Sequence, residues 1–335
     1  MIKVNYDAEY NTVVVEFVGN VDAAQSKGLF LEVEKLLPKG RSAFKLLSDI
    51  SEADTVEPEV ENEIGKAMDY FNKRGVSEIF RVLPDPDLDI AFNVLSGAHY
   101  RKGVRIHTLR SREEAQTLLR CTAYSAESTA LLIVDPYNDF MSEGGKFYEA
   151  TNPTAQAAGF YPHLRELIPA MRAARVPIVV VPHRRWREGD YRGWKCLNPT
   201  QLKLNQARAF AAGSWGGEFH PDFGPRDGDV VALEHWGQSG FVNTDLDAQL
   251  KRRGIEKIIL AGMVANTCVE GTARHGAELG YQVTLVKDAV AAFDPEGMRA
   301  ANEVDGPRFA HAIMTTEDLL ERVAASTPLA HETHA

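Results

Sequence analysis

The chain has 335 residues, of which 44% are hydrophobic and 25% charged, and a formal net charge of −10. This length allows two domains with separate cores, and the composition argues against disordered or fibrous structure. No apolar run approaches the roughly 20 residues of a membrane helix, no apolar leader is present, and no basic stripe could follow a nucleic-acid backbone. We expect a cytoplasmic protein without a membrane or nucleic-acid partner.

The first part of the chain alternates between strands and helices. Strands are predicted at VNY, TVVVEFVG, FKLLSDI, SEIFRVL and VRIHTL. Helices are predicted at AAQSKGLFLEVEKLL, ENEIGKAMDYFNKRG, LDIAFNVLSGAHY and SREEAQTLLR. Small polar residues at 121–129 then form a linker. The pattern predicts a small α/β domain over residues 1–124.

The second part contains a longer series of apolar strands with amphipathic helices between most of them. The strands are predicted at ALLIVD, VPIVVV, DVVALE, EKIILAG, YQVTLVKD and HAIMTT. Two of the helices are predicted at LRELIPAMRAAR and NTDLDAQLKRRG. Such strands are typical of a mostly parallel sheet covered on both faces. We therefore predict a second α/β domain at 129–325 and a flexible tail at 326–335.

One stretch of the second domain lacks this regular pattern. Residues 183–228 are rich in Trp, Gly, Pro and Arg, and so long a connection is usually a binding loop or a lid. In sheets of this kind, ligands bind beyond the carboxyl ends of the strands.

Asp135 is the first candidate site residue at that edge, because it follows the apolar strand ALLIV directly. A carboxylate there is partly desolvated, which suits it to general-base work. The alternative is an aspartate that caps the loop.

Cys268 is the second candidate, and the only one of three cysteines with such a context. Cys121, Cys196 and Cys268 cannot build a disulfide framework, and no CxxC pair is present. The strand EKIILAG leads through MVANT to a helix that begins near Cys268. The helix dipole and free backbone amides would lower the pKa of the thiol and could hold an oxyanion. The alternative is a buried, inert cysteine.

Glu234 and His235 form the third feature, at the end of the strand DVVALE. A histidine there can exchange protons near neutral pH, or can be a hydrogen-bonded structural residue.

Four segments together resemble the isochorismatase-like cysteine hydrolases, which include nicotinamidases, N-carbamoylsarcosine amidases and ureide hydrolases. The segments are LLIVDPYNDF, GFVNTDL, GMVANTCVEGTARHGAELGY and VTLVKDAVAAF. The resemblance covers about residues 129–325 and implies a three-layer α/β/α fold with a triad of aspartate, lysine and cysteine. It implies Asp135 as base, Cys268 as nucleophile and a cis peptide between Met263 and Val264. The amides of Val264 and Cys268 would form the oxyanion hole.

The sequence departs from this pattern at the lysine of the triad, which it lacks. Its position falls on His235, with Glu234 beside it, and no lysine lies between Lys203 and Lys251. His235 could supply positive charge when protonated, for instance while paired to Asp135.

Substrate contacts are expected from residues around this edge. The candidates are Glu234, Phe140, Trp186, Trp236 and Phe241, together with Arg184, Arg185, Trp194 and Trp215 of the long loop. A hydrophobic floor or lid packed by the tryptophans is the alternative. Many nicotinamidases bind a metal through an aspartate and two histidines, but VPHRRWREGDY has a single histidine, His183. We therefore predict no metal and no other cofactor.

The first domain resembles STAS-like domains over about residues 1–120. The resemblance rests on FKLLSDISEAD, GVSEIFRVLPDPD and HYRKGVRIHT. Because DISEADTVEPEV lacks the Ser-Ser-Gly-type signature, Ser48 and Ser51 are poor candidates for phosphorylation. The first domain is expected to have an assembly or regulatory role, either by mediating assembly or by binding a partner or small ligand. The resemblance of the second domain implies a homo-oligomer.

The leading hypothesis is hydrolysis of a C–N bond in a small carboxamide or ureide through a thioester on Cys268. One alternative is hydrolysis of the vinyl ether of an isochorismate-like acid, which needs acid catalysis by Asp135 and no thiol. The other is a non-catalytic sensor in which a degraded hydrolase domain binds a ligand.

Overall fold

A computed structural model of the protein describes residues 1–37, 43–56, 58–83, 96–101 and 103–326. The chain divides into two compact units. The first comprises residues 1–125 and the segment that begins at Glu321, and the second is Ala126–Leu320. None of the helices in these ranges combines the length and hydrophobicity needed to cross a bilayer.

The first unit contains a mixed five-stranded sheet in the order β1-β2-β3-β4-β5. The strands are β1 (Ile2–Asp7), β2 (Thr12–Val21), β3 (Phe44–Val56), β4 (Val76–Val82) and β5 (Arg105–Leu109). The helices are α1 (Ala23–Leu36), α2 (Pro58–Arg74) and α3 (Arg112–Thr122). β1 and β2 are antiparallel and the other neighbours are parallel. Of the helix predicted at LDIAFNVLSGAHY, residues 96–99 are helical and 84–95 lie outside the described residues.

Alternation along β2 explains how this sheet forms its core. Val13, Val15 and Phe17 are buried, and they belong to one cluster with Phe44 of β3 and Phe71 of α2. Successive side chains of a strand point to opposite faces, so every second residue of β2 faces this core.

The second unit contains a six-stranded, wholly parallel sheet in the order β11-β10-β9-β6-β7-β8. Its strands are β6 (Thr129–Val134), β7 (Ile178–Val181), β8 (Val230–Val231), β9 (Lys257–Met263), β10 (Gln282–Ala291) and β11 (Ala312–Met314). Its helices are α4 (Asn138–Met141), α5 (Tyr148–Ala158), α6 (Phe160–Ala173), α7 (Pro199–Gln206), α8 (Leu246–Lys251), α9 (Glu270–Glu278) and α10 (Pro295–Arg299). Helix α11 (Thr316–Ser326) begins in this unit, and its residues from Glu321 onward belong to the first unit. Shorter 3₁₀ or π turns lie at Trp215–Gly217, Ala265–Val269, Ala300–Asp305 and Gly306–Arg308.

The register of the three central strands positions the site. Val134, at the end of β6, pairs with Val181 of β7 on one side and with Gly262 of β9 on the other. The three strands therefore end at the same level. The chain segments that leave them converge at the carboxyl edge of the sheet, where ligands are expected.

The predicted strand DVVALE is shorter than expected, because β8 keeps only Val230–Val231. Backbone pairing with β7 nevertheless continues, since Ala232 N donates to Val180 O and His235 N donates to Pro182 O. As an edge element with one neighbour, this segment follows β7 to His235 without forming a regular strand.

Gly262 is expected to be intolerant of any side chain. It has φ +116°, and a Cβ there would collide with the backbone oxygen and nitrogen of Val134. We expect Gly262→Ala to lower the free energy of unfolding by roughly 2–4 kcal/mol. Gly228 is the matched control, because its φ is +93° but no atom lies within 4 Å of the added Cβ. Gly228→Ala should cost only about 1 kcal/mol.

Urea unfolding followed by tryptophan fluorescence measures both variants, because all four tryptophans lie in the second unit. Equal losses at the two positions would show that the left-handed backbone, and not the close approach of β6 to β9, accounts for the cost.

Candidate active site

Asp135 begins the site where β6 ends. Its side chain is fully buried, and its backbone adopts φ +52°, which is uncommon for a residue other than glycine. The amide of Asp135 donates to Val181 O at 3.0 Å, so the residue remains tied to β7. Such a backbone persists only where the surroundings fix it, and it is commonly found at functional sites.

Cys268 reaches the same place from β9. The Met263–Val264 peptide is cis, as the sequence resemblance implies, and a π-helical turn at Ala265–Val269 follows before α9. Cys268 lies within this turn and is 4% exposed, whereas Cys121 and Cys196 are exposed.

His235 enters from the segment that follows β8. Its amide donates to Pro182 O at 2.9 Å, and its carbonyl accepts from the amide of Arg184 at 2.8 Å. The ring is completely buried. Hydrogen bonds on both sides of the backbone thus fix the residue beside the end of β7.

Asp135, His235 and Cys268 come together as one buried group, whose nitrogen, oxygen and sulfur atoms all lie within 4.8 Å of one another. His235 Nε2 lies 3.1 Å from Asp135 Oδ1, and His235 Nδ1 lies 2.8 Å from Gly237 O. A carbonyl oxygen can only accept, so Nδ1 carries a hydrogen. Without a further proton, the lone pair of Nε2 would face the lone pairs of Asp135 Oδ1. A hydrogen bond between these two atoms therefore requires one more proton, carried either by His235 as an imidazolium or by the carboxyl group of Asp135.

The pKa of the Cys268 thiol is shifted in the opposite direction to the one expected from the sequence. Burial raises its pKa well above the ordinary value, and the negative charge of Asp135 raises it further. The prediction of a lowered pKa was wrong, because desolvation and the nearby carboxylate outweigh the helix dipole. At neutral pH the resting thiol is protonated.

Comparison with known proteins identifies the fold around this group. The isochorismatase domain family matches residues 129–318, which is more than half of the chain. The chain belongs to the isochorismatase family. Its second unit is an isochorismatase-family hydrolase domain, whereas the first unit lies outside the matched region.

Several proteins are similar to parts of the chain. It is 44% identical over 107 residues to YwoC of Bacillus subtilis, an uncharacterized isochorismatase family protein; this match spans 32% of the chain and about half (55%) of that protein. It is 30% identical over 183 residues to the ureidoacrylate amidohydrolase RutB of Pantoea ananatis, which covers 52% of the chain and 73% of that protein. A cysteine hydrolase from Pseudomonas syringae has a similar structure, with a TM-score of 0.51 and 27% identity over 61% of this chain and 95% of that one.

The carboxylate of Glu234 in the isochorismatase domain is bound by two arginines. Its carboxylate accepts from Arg184 Nη1 at 3.1 Å and from Arg185 Nε at 2.5 Å. Arg184 also pairs with Asp190 at 2.8 Å and lies 4.5 Å from the centre of the Trp236 ring. The charge of Glu234 is thus engaged in a network that ties the long loop to the segment after β8.

The predicted aromatic residues lie in different environments. Phe140 is buried against Phe147, Phe210 and Phe293. Trp186 donates from Nε1 to Asn205, and Trp236 stacks on Trp194. Phe241 packs against His275 and Tyr281, which are not part of the buried group. Trp194 and Trp215 are about half exposed.

Three further buried residues of the domain were not singled out in the sequence. Tyr191 is buried in the long loop, close enough for the charge of Cys268 to affect its pKa, which burial chiefly raises to about 12. Tyr137 donates to His183 O at 2.8 Å, and Asp139 accepts from Phe210 N at 2.8 Å. The motif DPYNDF contains Tyr137 and Asp139 and could have pointed to them, whereas nothing in the sequence distinguishes Tyr191.

His183 lies edge-on to His235, with ring centres 4.9 Å apart, and its Nδ1 bonds to Arg184 O. Among the described residues, His183 is not part of a cluster of three potential metal ligands; Asp135, His235 and Cys268 form the one such group.

His183 is expected to make the stability of the isochorismatase domain depend on pH. Burial chiefly, and the positive charge of His235 next, lower its pKa from 6.5 to about 4. The unfolded chain binds this proton below pH 6.5 and the folded chain only below about 4, so stability is present above 6.5 and is lost as pH falls through this window. Between pH 7 and 4 the loss should be about 3 kcal/mol.

Urea titrations of the wild type and of His183→Gln at several pH values isolate this contribution, because carboxylate titrations are common to both proteins. The variant should lose about 3 kcal/mol less than the wild type over the same range. Parallel pH profiles would contradict a neutral, buried His183.

Proposed function

We propose that the isochorismatase domain hydrolyses a C–N bond of a small carboxamide or ureide through a thioester on Cys268. The observation that carries the proposal is the buried group of Asp135, His235 and Cys268 at the carboxyl edge of the parallel sheet. It combines a nucleophile, a base and a group able to hold positive charge. We also propose that this domain has the three-layer α/β/α fold that the family resemblance implies.

The raised pKa of the thiol determines how the first step proceeds. Because Cys268 is protonated at rest, its proton moves to Asp135 as Sγ attacks the carbonyl carbon. The tetrahedral intermediate collapses when Asp135 passes this proton to the leaving nitrogen and the C–N bond breaks. Water, deprotonated by Asp135, then attacks the thioester, and the proton returns to Cys268 as the acid leaves. The net reaction consumes one water and releases ammonia or an amine.

His235 supports this cycle by holding Asp135 in place and by balancing its charge. Its ring position is fixed by Gly237 O, and its Nε2 reaches Asp135 Oδ1. With a proton between them, the pair is neutral overall before the thiol proton is transferred. His235 thus balances the charge of Asp135, as a lysine would at the same position, through a hydrogen bond between two buried side chains.

Backbone amides are proposed to stabilise the oxyanion. Val264 precedes the π-helical turn after β9 and Cys268 lies within it, and backbone amides at such a turn can donate to developing negative charge. No side chain is required for this role.

Ureides are the first substrate class to test, because relatives such as RutB of Pantoea ananatis are named ureidoacrylate amidohydrolases. A panel of ureido acids, N-carbamoyl amino acids and simple carboxamides is screened for ammonia release, with Cys268→Ser as control. An electrophilic analogue of any substrate found, followed by mass spectrometry, then locates the nucleophile. Labelling of Cys121 or Cys196 while Cys268 stays free would count against the mechanism.

The first unit is proposed as a STAS-like domain that mediates homo-oligomer assembly or regulation. Its support is the mixed sheet, with one antiparallel pair followed by parallel neighbours, and the sequence resemblance. Sedimentation of the full chain measures the assembly state, and a monomer at all concentrations would exclude the assembly role.

A further inference from the structure

We propose that Asp135, His235 and Cys268 also form a binding site for Zn²⁺, and that its occupancy blocks the thiol. The sequence predicts no metal because the loop after β7 contains a single histidine, whereas Asp135, His235 and Cys268 lie on three different segments of the chain. Zinc binding itself does not depend on the proposed reaction. Only the inhibitory consequence rests on the proposed function.

The chemistry of the three donors selects for zinc. A carboxylate oxygen, an imidazole nitrogen and a thiolate sulfur are the three ligand types that proteins use for Zn²⁺. Mg²⁺ and Ca²⁺ prefer oxygen ligands throughout, so a site with sulfur and nitrogen disfavours them. Three protein ligands leave a fourth tetrahedral position for water.

The distances between the donors suit a small ion. All three atoms lie within 4.8 Å of one another, and His235 Nε2 is 3.1 Å from Asp135 Oδ1. Zinc bonds of 2.0–2.3 Å at tetrahedral angles separate neighbouring ligand atoms by about 3.3–3.8 Å. The thiol therefore has to move by about 1 Å at most, which a small side-chain rotation provides.

The orientation of His235 is that of a metal ligand. Its Nδ1 bonds to Gly237 O, which fixes the tautomer and directs the Nε2 lone pair toward the group. Zinc-bound histidines usually have such an outer partner on the second ring nitrogen.

A second feature of the site also favours a cation. Asp135 Oδ2 is completely buried, and no nitrogen or oxygen atom of the described residues bonds to it, so that the carboxylate has the Cys268 thiol as a further donor beside His235. A thiol is a weak donor to a buried carboxylate, and a metal ion bound to both the oxygen and the sulfur would replace this contact with a stronger one. The same ion would also replace the single proton between His235 and Asp135.

Inhibition follows from the position of the metal. Zinc holds Sγ of Cys268 as a thiolate ligand, so the sulfur no longer attacks a carbonyl carbon, and Asp135 no longer accepts a proton. Removal of the metal restores both groups. The site would thus make the hydrolase reversibly sensitive to free zinc.

Metal binding is tested on the metal-free, full-length protein with Zn²⁺ alone, by competition with a chromophoric chelator. We expect one equivalent bound with a Kd on the order of 1 μM or tighter. Cys268→Ser and His235→Lys should each weaken binding by at least about 100-fold, since even loss of an outer partner costs 10–100-fold. The lysine ammonium has no lone pair for the metal. Cys121→Ser and Cys196→Ser are matched controls that should bind zinc as the wild type does.

Cobalt substitution tests for the sulfur ligand by a spectroscopic signal. This signal requires neither catalytic activity nor a correctly folded His235→Lys variant. Co²⁺ bound to the wild type should give a thiolate-to-metal charge-transfer band that disappears in Cys268→Ser. Equal zinc affinity in the wild type and Cys268→Ser, or a band that persists in that variant, overturns the site. Zinc bound at this site without loss of amide hydrolysis overturns the inhibition alone. If no amide is hydrolysed at all, the proposed function fails while the binding result stands.

Discussion

Replacement of Cys268 by alanine is expected to lower kcat for amide or ureide hydrolysis by at least about 10⁴-fold. The thioester cannot form without Sγ, and the buried surroundings contain no second thiol, since Cys121 and Cys196 are exposed. Binding of the substrate should change little, because alanine removes only Sγ from a residue that is 4% exposed. Steady-state kinetics with the best substrate of the screen measures kcat and KM separately.

Two comparisons make this result specific. Cys121→Ser and Cys196→Ser should keep wild-type rates, and thermal unfolding should show that Cys268→Ala remains folded. The vinyl-ether alternative gives the opposite pattern for an isochorismate-like acid: full activity in Cys268→Ala and loss in Asp135→Asn. The protonated state of the resting thiol is the feature that favours this alternative, since acid catalysis needs no thiolate.

The framework of the site could be predicted from the sequence because buried parallel strands leave a strong signal. ALLIVD and EKIILAG are continuous apolar runs, and they form β6 and β9 within a residue or two of the predicted limits. Asp135 and the turn that carries Cys268 follow these strands directly. Their meeting at one edge is a consequence of parallel topology, which the alternation with helices already implies.

Side-chain environments could not be predicted in the same way, because they depend on segments far apart in the chain. Glu234 is engaged by Arg184 and Arg185, fifty residues earlier, and no local pattern reveals this pairing. The pKa of Cys268 was mistaken for a related reason. The helix dipole is visible in the sequence, whereas complete burial beside Asp135 becomes visible only when β6 and β9 lie together.

Substitution of His235 separates the two contributions that this residue is proposed to make, a hydrogen bond and a positive charge. His235→Ala removes both and should lower kcat by roughly 10²–10³-fold. His235→Gln keeps a donor to Asp135 Oδ1 without charge, and His235→Lys supplies a charge without the ring. We expect rates in the order wild type, lysine, glutamine, alanine, with the lysine variant within about tenfold of the wild type.

Stability has to be measured in parallel, because His235 and Asp135 are both fully buried. Loss of one partner of a buried pair costs about 3–5 kcal/mol, so His235→Ala should unfold at a lower urea concentration. The double variant Asp135→Asn, His235→Ala no longer contains the unpaired carboxylate and should recover part of that loss. If glutamine equals the wild type in kcat, the hydrogen bond alone suffices. If lysine is no better than alanine, positive charge at this position is not what the reaction uses, and His235 acts only by orienting Asp135.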